Sequence, residues 1–178
     1  MIEKQKWLRL IGDKNSEILI LGSFPSKVSI EKNQYYANKS NRFWNEIIKP
    51  IFNNNKCFIG EIDEEIYASK IKCLLINKIA LSDVFSTKIE KNKLDTSMDK
   101  NIDTINSSKN NLIQILNDYK NIKKIIFNGK TARENFDSQN FKISRQIKLI
   151  TVLSTSGANR RWGNGKKLYD DWIKAFYE

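Results

Sequence analysis

Apolar residues along this chain gather in four short runs, and a polar stretch follows each run. The runs predict buried strands over residues 17–21, 79–84, 124–127 and 147–153. Apolar positions at helical spacing predict helices over residues 7–11, 41–52, 63–76, 110–119, 131–136 and 168–177. After the first helix, each strand is followed by at least one helix. This order predicts an α/β fold, in which a four-stranded parallel sheet carries helices on both faces.

The chain is long enough for one well-packed domain. It has 178 residues, of which 40% are hydrophobic, and we expect a single domain over residues 1–178. No apolar run approaches the roughly 18 residues of a membrane helix, and the first six residues lack the apolar stretch of a signal peptide. Cys57 and Cys73 have no metal-site or redox-pair spacing, which predicts idle thiols in a reducing cytoplasm. A monomer is the default expectation.

The net charge and the histidine content limit which classes of function the chain can have. The formal net charge of +11 favours a polyanionic partner, above all nucleic acid, although an AT-rich genome would also enrich a chain in lysine. The chain has no histidine. This excludes Ser-His-Asp and Cys-His catalysis and makes a zinc hydrolase improbable, since histidine is the commonest general base and metal ligand.

The polar stretch after the first strand carries side chains suited to a flat ligand. Phe24, Tyr35 and Tyr36 offer rings that can stack on a base, while covering the edge of the core explains any single ring equally well. Asn38 and Asn41 offer amides that can position a water or read a base edge. Asn41 also stands where a helix N-cap is expected, a role worth about 1 kcal/mol, and spacing alone favours that role.

Two further loops follow predicted strands. The Asn128-Gly129 turn can bring backbone close to a phosphate, although an asparagine here more commonly satisfies its own turn. The last loop combines hydroxyls, a glycine and arginines, a set suited to gripping backbone phosphates. Its residues are Ser154, Thr155, Ser156, Gly157, Ala158, Asn159, Arg160 and Arg161. A solvated loop with a charged flank is the alternative, and nucleic-acid contact is the preferred interpretation.

Five segments in register resemble motifs of the uracil-DNA glycosylase superfamily. They are Gly22-Ser23-Phe24-Pro25-Ser26 with Tyr35-Tyr36-Ala37 and Asn41-Arg42-Phe43-Trp44, then Ile79 to Val84, Leu94 to Ser97, Phe127 to Lys130, and Ser154 to Asn159. The chain resembles most the hypoxanthine-DNA (deoxyinosine) glycosylase branch. Its Asn-Arg-Phe-Trp and Ser-Gly-x-Asn-Arg pieces are also similar to mismatch-specific uracil/thymine glycosylases.

The resemblance implies a three-layer αβα fold and a monofunctional enzyme without metal or other cofactor. Such an enzyme binds DNA with a damaged or mismatched base and requires no membrane. It flips a deaminated or altered base, hypoxanthine or uracil foremost, out of DNA and hydrolyses its N-glycosidic bond in base excision repair. The reaction suits a chain without histidine, because a positioned water, edge hydrogen bonds and stacking carry most of it.

The resemblance also implies roles at the matching positions. Ser23 stands where sister families place a catalytic Asn or Asp, so water positioning falls to Asn41 or Asn38, with Asn41 preferred. The residues implied to hold the base are Gly22, Ser23, Phe24, Tyr35, Tyr36 and Asn128, with Phe24 and Tyr35 stacking on it. Residues 154–161 would grip DNA, and Ala158 or Asn159 at the tip would fill the gap that the base leaves.

Two positions depart from the family pattern. Asn38-Lys39 stands where His-Pro is frequent, and Gly157 stands where Pro is frequent. Both lie in the implied active region, so an altered base preference and a catalytically silent nucleic-acid-binding protein remain open. A nucleotide hydrolase is a third reading, and the basic charge and the arginines of the last loop speak against it.

Overall fold

Four parallel strands form the central sheet. The computed structural model describes residues 8–52, 63–85, 110–140, 142–159 and 165–178. The strands are β1 (Ile18–Gly22), β2 (Ile79–Asp83), β3 (Lys124–Asn128) and β4 (Lys148–Val152), and they lie in the order β2-β1-β3-β4. All three neighbouring pairs are parallel. The predicted parallel sheet is confirmed, and the end of every strand lies within one residue of its predicted position.

Helices cover both faces of the sheet. They are α1 (Lys27–Lys32), a π-helical segment π1 (Phe43–Ile48) continued by α2 (Lys49–Ile51), α3 (Asp63–Ile76), α4 (Leu112–Asp118), α5 (Lys130–Asp137) and α6 (Gly165–Tyr177). Successive strand side chains point to opposite faces. Ile20 accordingly packs with residues of π1, α3 and α6, whereas Leu19 and Leu21 pack with residues of α4 and α5. One hydrophobic core on each face of the sheet confirms the three-layer αβα arrangement.

The predicted first helix is wrong over its described part, residues 8–11. Instead, Ile11 forms an antiparallel bridge with Leu81 of β2. The Ile11 N–H donates to the Leu81 carbonyl at 3.0 Å, and the Leu81 N–H donates to the Ile11 carbonyl at 2.7 Å. Because β2 lies at the sheet edge, its outward backbone groups need partners, and this requirement outweighs the helical spacing of the apolar residues.

Helix α1 was not predicted, since its segment reads as a polar loop. Ser26 caps it by accepting a hydrogen bond from the Ser29 N–H at 3.2 Å. The predicted long loop over residues 86–108 lies outside the described residues. Within the described ranges, no helix combines the length and the apolar character needed to cross a membrane.

Candidate active-site cleft

A cleft of about 1200 Å³ opens where the carboxyl ends of the strands meet. This edge of a parallel sheet is the usual location of a ligand site in α/β proteins. The predicted site residues that line the cleft are Gly22, Ser23, Phe24, Tyr35, Tyr36, Asn38, Asn41, Asn128, Ser154, Ser156, Gly157, Ala158 and Asn159. Arg160 and Arg161 lie outside the described residues. The fold therefore brings together residues that are far apart in sequence.

The three aromatic rings predicted to hold a base differ in their availability. Tyr35 is only 2% exposed, and its backbone is held from two sides. Its carbonyl accepts a hydrogen bond from Trp44 Nε1 at 2.8 Å, and its N–H donates to the Tyr67 hydroxyl at 2.8 Å. The Tyr36 ring packs on Phe43, with 4.3 Å between ring centroids. Phe24 and Tyr36 are both partly exposed, and because the Tyr36 ring packs on Phe43, Phe24 is the ring that we expect to stack on a ligand.

Burial changes the chemistry of Tyr35. Removal from water raises the pKa of its hydroxyl well above the ordinary value, and the nearby negative charge of Asp83 raises it further. The phenol is therefore protonated throughout the physiological range and can act as a hydrogen-bond donor.

The buried end of the cleft is built on Gly22, at the carboxyl end of β1. A side chain at this position would collide with the Asp83 carboxylate and would approach the Tyr36 hydroxyl to 3.2 Å. Tyr36 itself adopts a left-handed backbone conformation, with φ of 55°, which is uncommon for a bulky residue and frequent at functional sites. Gly22 therefore leaves room for an acid and a phenol beside the cleft.

Asp83 lines this cleft and was missed as a site residue in the sequence. It ends β2, pairs in register with Gly22, and is only 4% exposed. The signal available in the sequence was a carboxylate at the end of an otherwise apolar strand, at the sheet edge where ligands bind. A buried carboxylate in such a place is a candidate for direct contact with a ligand.

The side-chain oxygen of each candidate asparagine accepts a hydrogen bond from the residue two positions later in the chain. Asn38 is exposed, and its Oδ1 accepts hydrogen bonds from the Ser40 N–H at 3.0 Å and the Ser40 hydroxyl at 2.9 Å. Asn41 is partly buried, and its Oδ1 accepts the N–H of Phe43, the first residue of π1, at 3.0 Å. The N-cap of π1 is Arg42, whose side chain forms no capping hydrogen bond, so the N-cap predicted at Asn41 is displaced by one residue, although the Asn41 side chain does accept the first N–H of π1.

Asn128 and Thr155 form a buried pair that joins β3 to the last loop. Asn128 Nδ2 donates to Thr155 Oγ1 at 2.9 Å, and the Thr155 N–H donates to Asn128 Oδ1 at 2.9 Å. Thr155 is fully buried, unlike the exposed Ala158 of the same loop, so the DNA contact predicted for Thr155 stays a prediction that its burial does not favour. Its hydroxyl positions the loop instead, because it satisfies an amide that would otherwise be buried without that partner.

The Asn128–Thr155 pair predicts a difference between two conservative substitutions. Thr155→Val keeps the shape but removes the acceptor for Asn128 Nδ2, and we expect it to lower the free energy of unfolding by about 1–3 kcal/mol. Thr155→Ser keeps the hydroxyl, so its free energy of unfolding should fall less than that of Thr155→Val. Urea unfolding of both variants measures the difference, and equal stability of the valine variant and the wild type would contradict the assigned role.

Hydrogen bonds also connect the last loop to the segment that contains Asn38 and Asn41. The Arg42 N–H donates to the Thr155 carbonyl at 3.0 Å, and the Arg42 guanidinium donates to the Asn159 carbonyl at 3.4 Å. Gly157 lies against Ser40, so closely that a Cβ on Gly157 would come within 2.7 Å of the Ser40 carbonyl oxygen. The segments containing the two departures from the family pattern are therefore in contact with each other.

Comparisons with known proteins agree with this geometry. The model of the uracil DNA glycosylase superfamily matches residues 10–177. Proteins named hypoxanthine DNA glycosylase from Methanosarcina barkeri and Methanosarcina acetivorans are 36% and 32% identical to this chain, each over 92% of both sequences. A solution NMR structure from Methanosarcina acetivorans, provisionally described as a uracil DNA glycosylase, superposes with a TM-score of 0.72 at 29% identity, covering 97% of this chain and 96% of that one. The chain therefore belongs to the uracil DNA glycosylase superfamily, a family of DNA glycosylases.

Proposed function

We propose that this protein removes hypoxanthine from DNA by hydrolysing its N-glycosidic bond, which leaves an abasic site for base excision repair. Uracil is the second candidate substrate. The observation that carries the proposal is the cleft at the carboxyl edge of the sheet, which combines an accessible ring, two amides and a buried acid. The two curated relatives that bear the name hypoxanthine DNA glycosylase favour hypoxanthine as the base.

The reaction requires a base rotated out of the duplex and held in the cleft. Phe24 would stack on the base, and the buried end of the cleft would receive the edge farthest from the sugar. The bond between C1′ and the base then breaks and the base leaves with the electron pair. Water adds to C1′ and loses a proton, and the departing base gains one. The sugar carries positive charge as the bond breaks, so the enzyme must hold the water in line.

We assign the positioning of that water to Asn38. The sugar stays joined to the DNA, so C1′ lies at the mouth of the cleft, where exposed residues can reach it. Both asparagines line the cleft, but Asn38 is exposed whereas Asn41 is partly buried. The Ser40 hydrogen bonds hold the Asn38 amide in one orientation, as a positioning role requires.

We propose that residues at the mouth of the cleft contact the phosphate backbone of DNA. The exposed part of the last loop presents Ala158 with neighbouring Ser156 and Asn159, and Lys130 also lines the cleft. Lys130 is 85% exposed and forms a surface ion pair with Glu134 at 3.2 Å. Such a pair contributes little in water and can exchange for a phosphate contact.

A strand-cleavage assay tests the proposal. Purified protein is incubated, in the presence of a chelator, with labelled duplexes and single strands that each contain one hypoxanthine, uracil, xanthine or mispaired thymine. Alkali then breaks the strand at abasic sites. We expect cleavage at hypoxanthine at the highest rate. Salt-sensitive binding without cleavage of any substrate would contradict the proposal and support a catalytically silent DNA-binding protein.

A further inference from the structure

The last loop begins at the edge of the sheet. It follows β4, which has β3 as its neighbour on one side, and the described residues form no strand on the other. The Lys148 N–H faces β3, where it donates to the Lys123 carbonyl at 2.9 Å. Because backbone groups of successive strand residues alternate in direction, the N–H and carbonyl of Leu153 face away from β3. These two groups need partners from outside the sheet.

Two consecutive side chains of α6 supply these partners. The Asp171 carboxylate accepts the Leu153 N–H at 2.6 Å, and Trp172 Nε1 donates to the Leu153 carbonyl at 3.0 Å. The Trp172 ring is fully buried and packs edge-on against Phe43 of π1, with 5.7 Å between ring centroids. At Leu153, α6 therefore takes the place of a neighbouring strand and fixes the point where the last loop begins.

Asp171 lies where a negative charge opposes the binding of a polyanion. It is partly exposed and lines the cleft beside the start of the last loop. A carboxylate with no other task there would repel the phosphates of bound DNA. Hydrogen bonds from a backbone N–H to a carboxylate are short and strong, so the bond to Leu153 can offset this repulsion. The position therefore suits a residue that acts on the loop rather than on DNA.

Hydrogen bonds hold the last loop at three points along its length. They lie at Leu153 before the loop, at Thr155 in its first half and at Asn159 near its tip. Between these points, Ser156 and Ala158 line the cleft, where the loop is proposed to contact phosphates. A loop that is already ordered in the free protein loses less conformational entropy when DNA binds. Each of the three points should therefore contribute to DNA affinity.

We propose that Asp171 is a positioning residue for DNA binding, whose carboxylate holds the start of the last loop in the orientation that contacts phosphates. It acts through the Leu153 N–H and does not touch DNA itself. This inference rests on the proposed glycosylase function and adds a residue to its DNA-binding site. Because the role needs a hydrogen-bond acceptor and not a negative charge, the amide oxygen of an asparagine should replace the carboxylate.

The test compares Asp171→Ala with Asp171→Asn. Both variants remove the negative charge, whereas only the asparagine keeps an oxygen that can accept the Leu153 N–H. The matched control is Asp170→Ala, because Asp170 is the exposed neighbour on the same helix. Affinity is measured on a duplex with an abasic-site analogue. Single-turnover excision of hypoxanthine over a range of enzyme concentrations gives the maximum rate and the half-saturating concentration. Thermal unfolding shows that each variant is folded, and hydrogen exchange reports the protection of the Leu153 amide.

We expect Asp171→Ala to weaken DNA binding and to raise the half-saturating concentration by about tenfold, the effect of about one hydrogen bond. Its Leu153 amide should exchange faster, and its maximum rate should stay within about threefold of the wild type, since the reacting atoms are untouched. Asp171→Asn should bind DNA at least as tightly as the wild type, because it keeps the acceptor and removes a charge that repels phosphates. Asp170→Ala should keep the wild-type maximum rate and Leu153 protection.

Three outcomes would overturn the inference. One is wild-type affinity in a folded Asp171→Ala variant. Another is weaker binding by Asp171→Asn, whatever the alanine variant does, because the charge would then carry the role. The third is a lower maximum rate at an unchanged half-saturating concentration, which would place Asp171 at the reacting atoms. A wild type that binds the duplexes but excises no base would instead refute the proposed glycosylase function, and the affinities of the variants would still test Asp171.

Discussion

Asn38→Ala is expected to lose turnover on the preferred substrate by about 100-fold or more, the usual effect of removing a group that positions a reactant or transfers its proton. DNA binding should change little, because contacts to backbone phosphates dominate affinity and Asn38 is not needed for them. Single-turnover rates and binding to an abasic-site analogue measure the two effects separately. The contrast of lost rate with retained affinity distinguishes a catalytic group from a structural one.

Asn41→Ala provides the matched control. This variant removes the acceptor for the Phe43 N–H, and we expect a loss of about 1 kcal/mol in stability with a rate within about tenfold of the wild type. If Asn41→Ala were folded but inactive while Asn38→Ala retained its rate, the assignment of water positioning to Asn38 would be wrong and the preference drawn from the sequence would hold.

Gly157→Ala is expected to produce the second large effect. The new Cβ would collide with the Ser40 side chain and come within 2.7 Å of its carbonyl oxygen. Backbone cannot yield as a flexible side chain can, so the last loop and the Asn38 segment must separate. A displacement of about 1 Å near the reacting atoms can reduce the rate about 100-fold.

The substitution Gly165→Ala is the control for Gly157→Ala, because Gly165 lies outside the cleft and a Cβ there would meet only the flexible end of the Glu46 side chain. We expect it to keep the wild-type rate and stability. Excision rates and thermal unfolding should show that Gly157→Ala is folded but slow. A Gly157→Ala variant as active as the wild type would contradict the close packing of the two loops.

The departures at Asn38-Lys39 and Gly157 can now be understood as neighbours. In sequence they are more than a hundred residues apart and read as two separate changes. In the fold, Ser40 hydrogen-bonds Asn38 and lies against Gly157. A glycine in the last loop admits the close approach of the Ser40 segment, so the two changes are structurally compatible with each other.

Hydrophobic patterning predicted the sheet correctly. A short apolar run has few ways to bury its side chains and satisfy its backbone hydrogen bonds other than as a strand of a sheet. The runs ending near Gly22 and Asn128 are confirmed as strands, and the structure places them side by side at the centre of the sheet. Patterning failed at residues 8–11, where Ile11 forms a β-bridge with the edge strand β2. It also failed over α1, whose first turn depends on the Ser26 cap and on the buried Ser29. Both failures involve hydrogen bonds rather than hydrophobicity.

The sequence by itself determined the four strands, every described helix except α1, the family and the loops that form the cleft, because these depend on local periodicity and on motifs in register. Only the tertiary structure decided which side chains are available in the cleft. It buried Thr155 against Asn128, enclosed the ring of Tyr35 and brought Asp83 beside Gly22. Those outcomes depend on packing between segments distant in the chain, which no single stretch of sequence encodes.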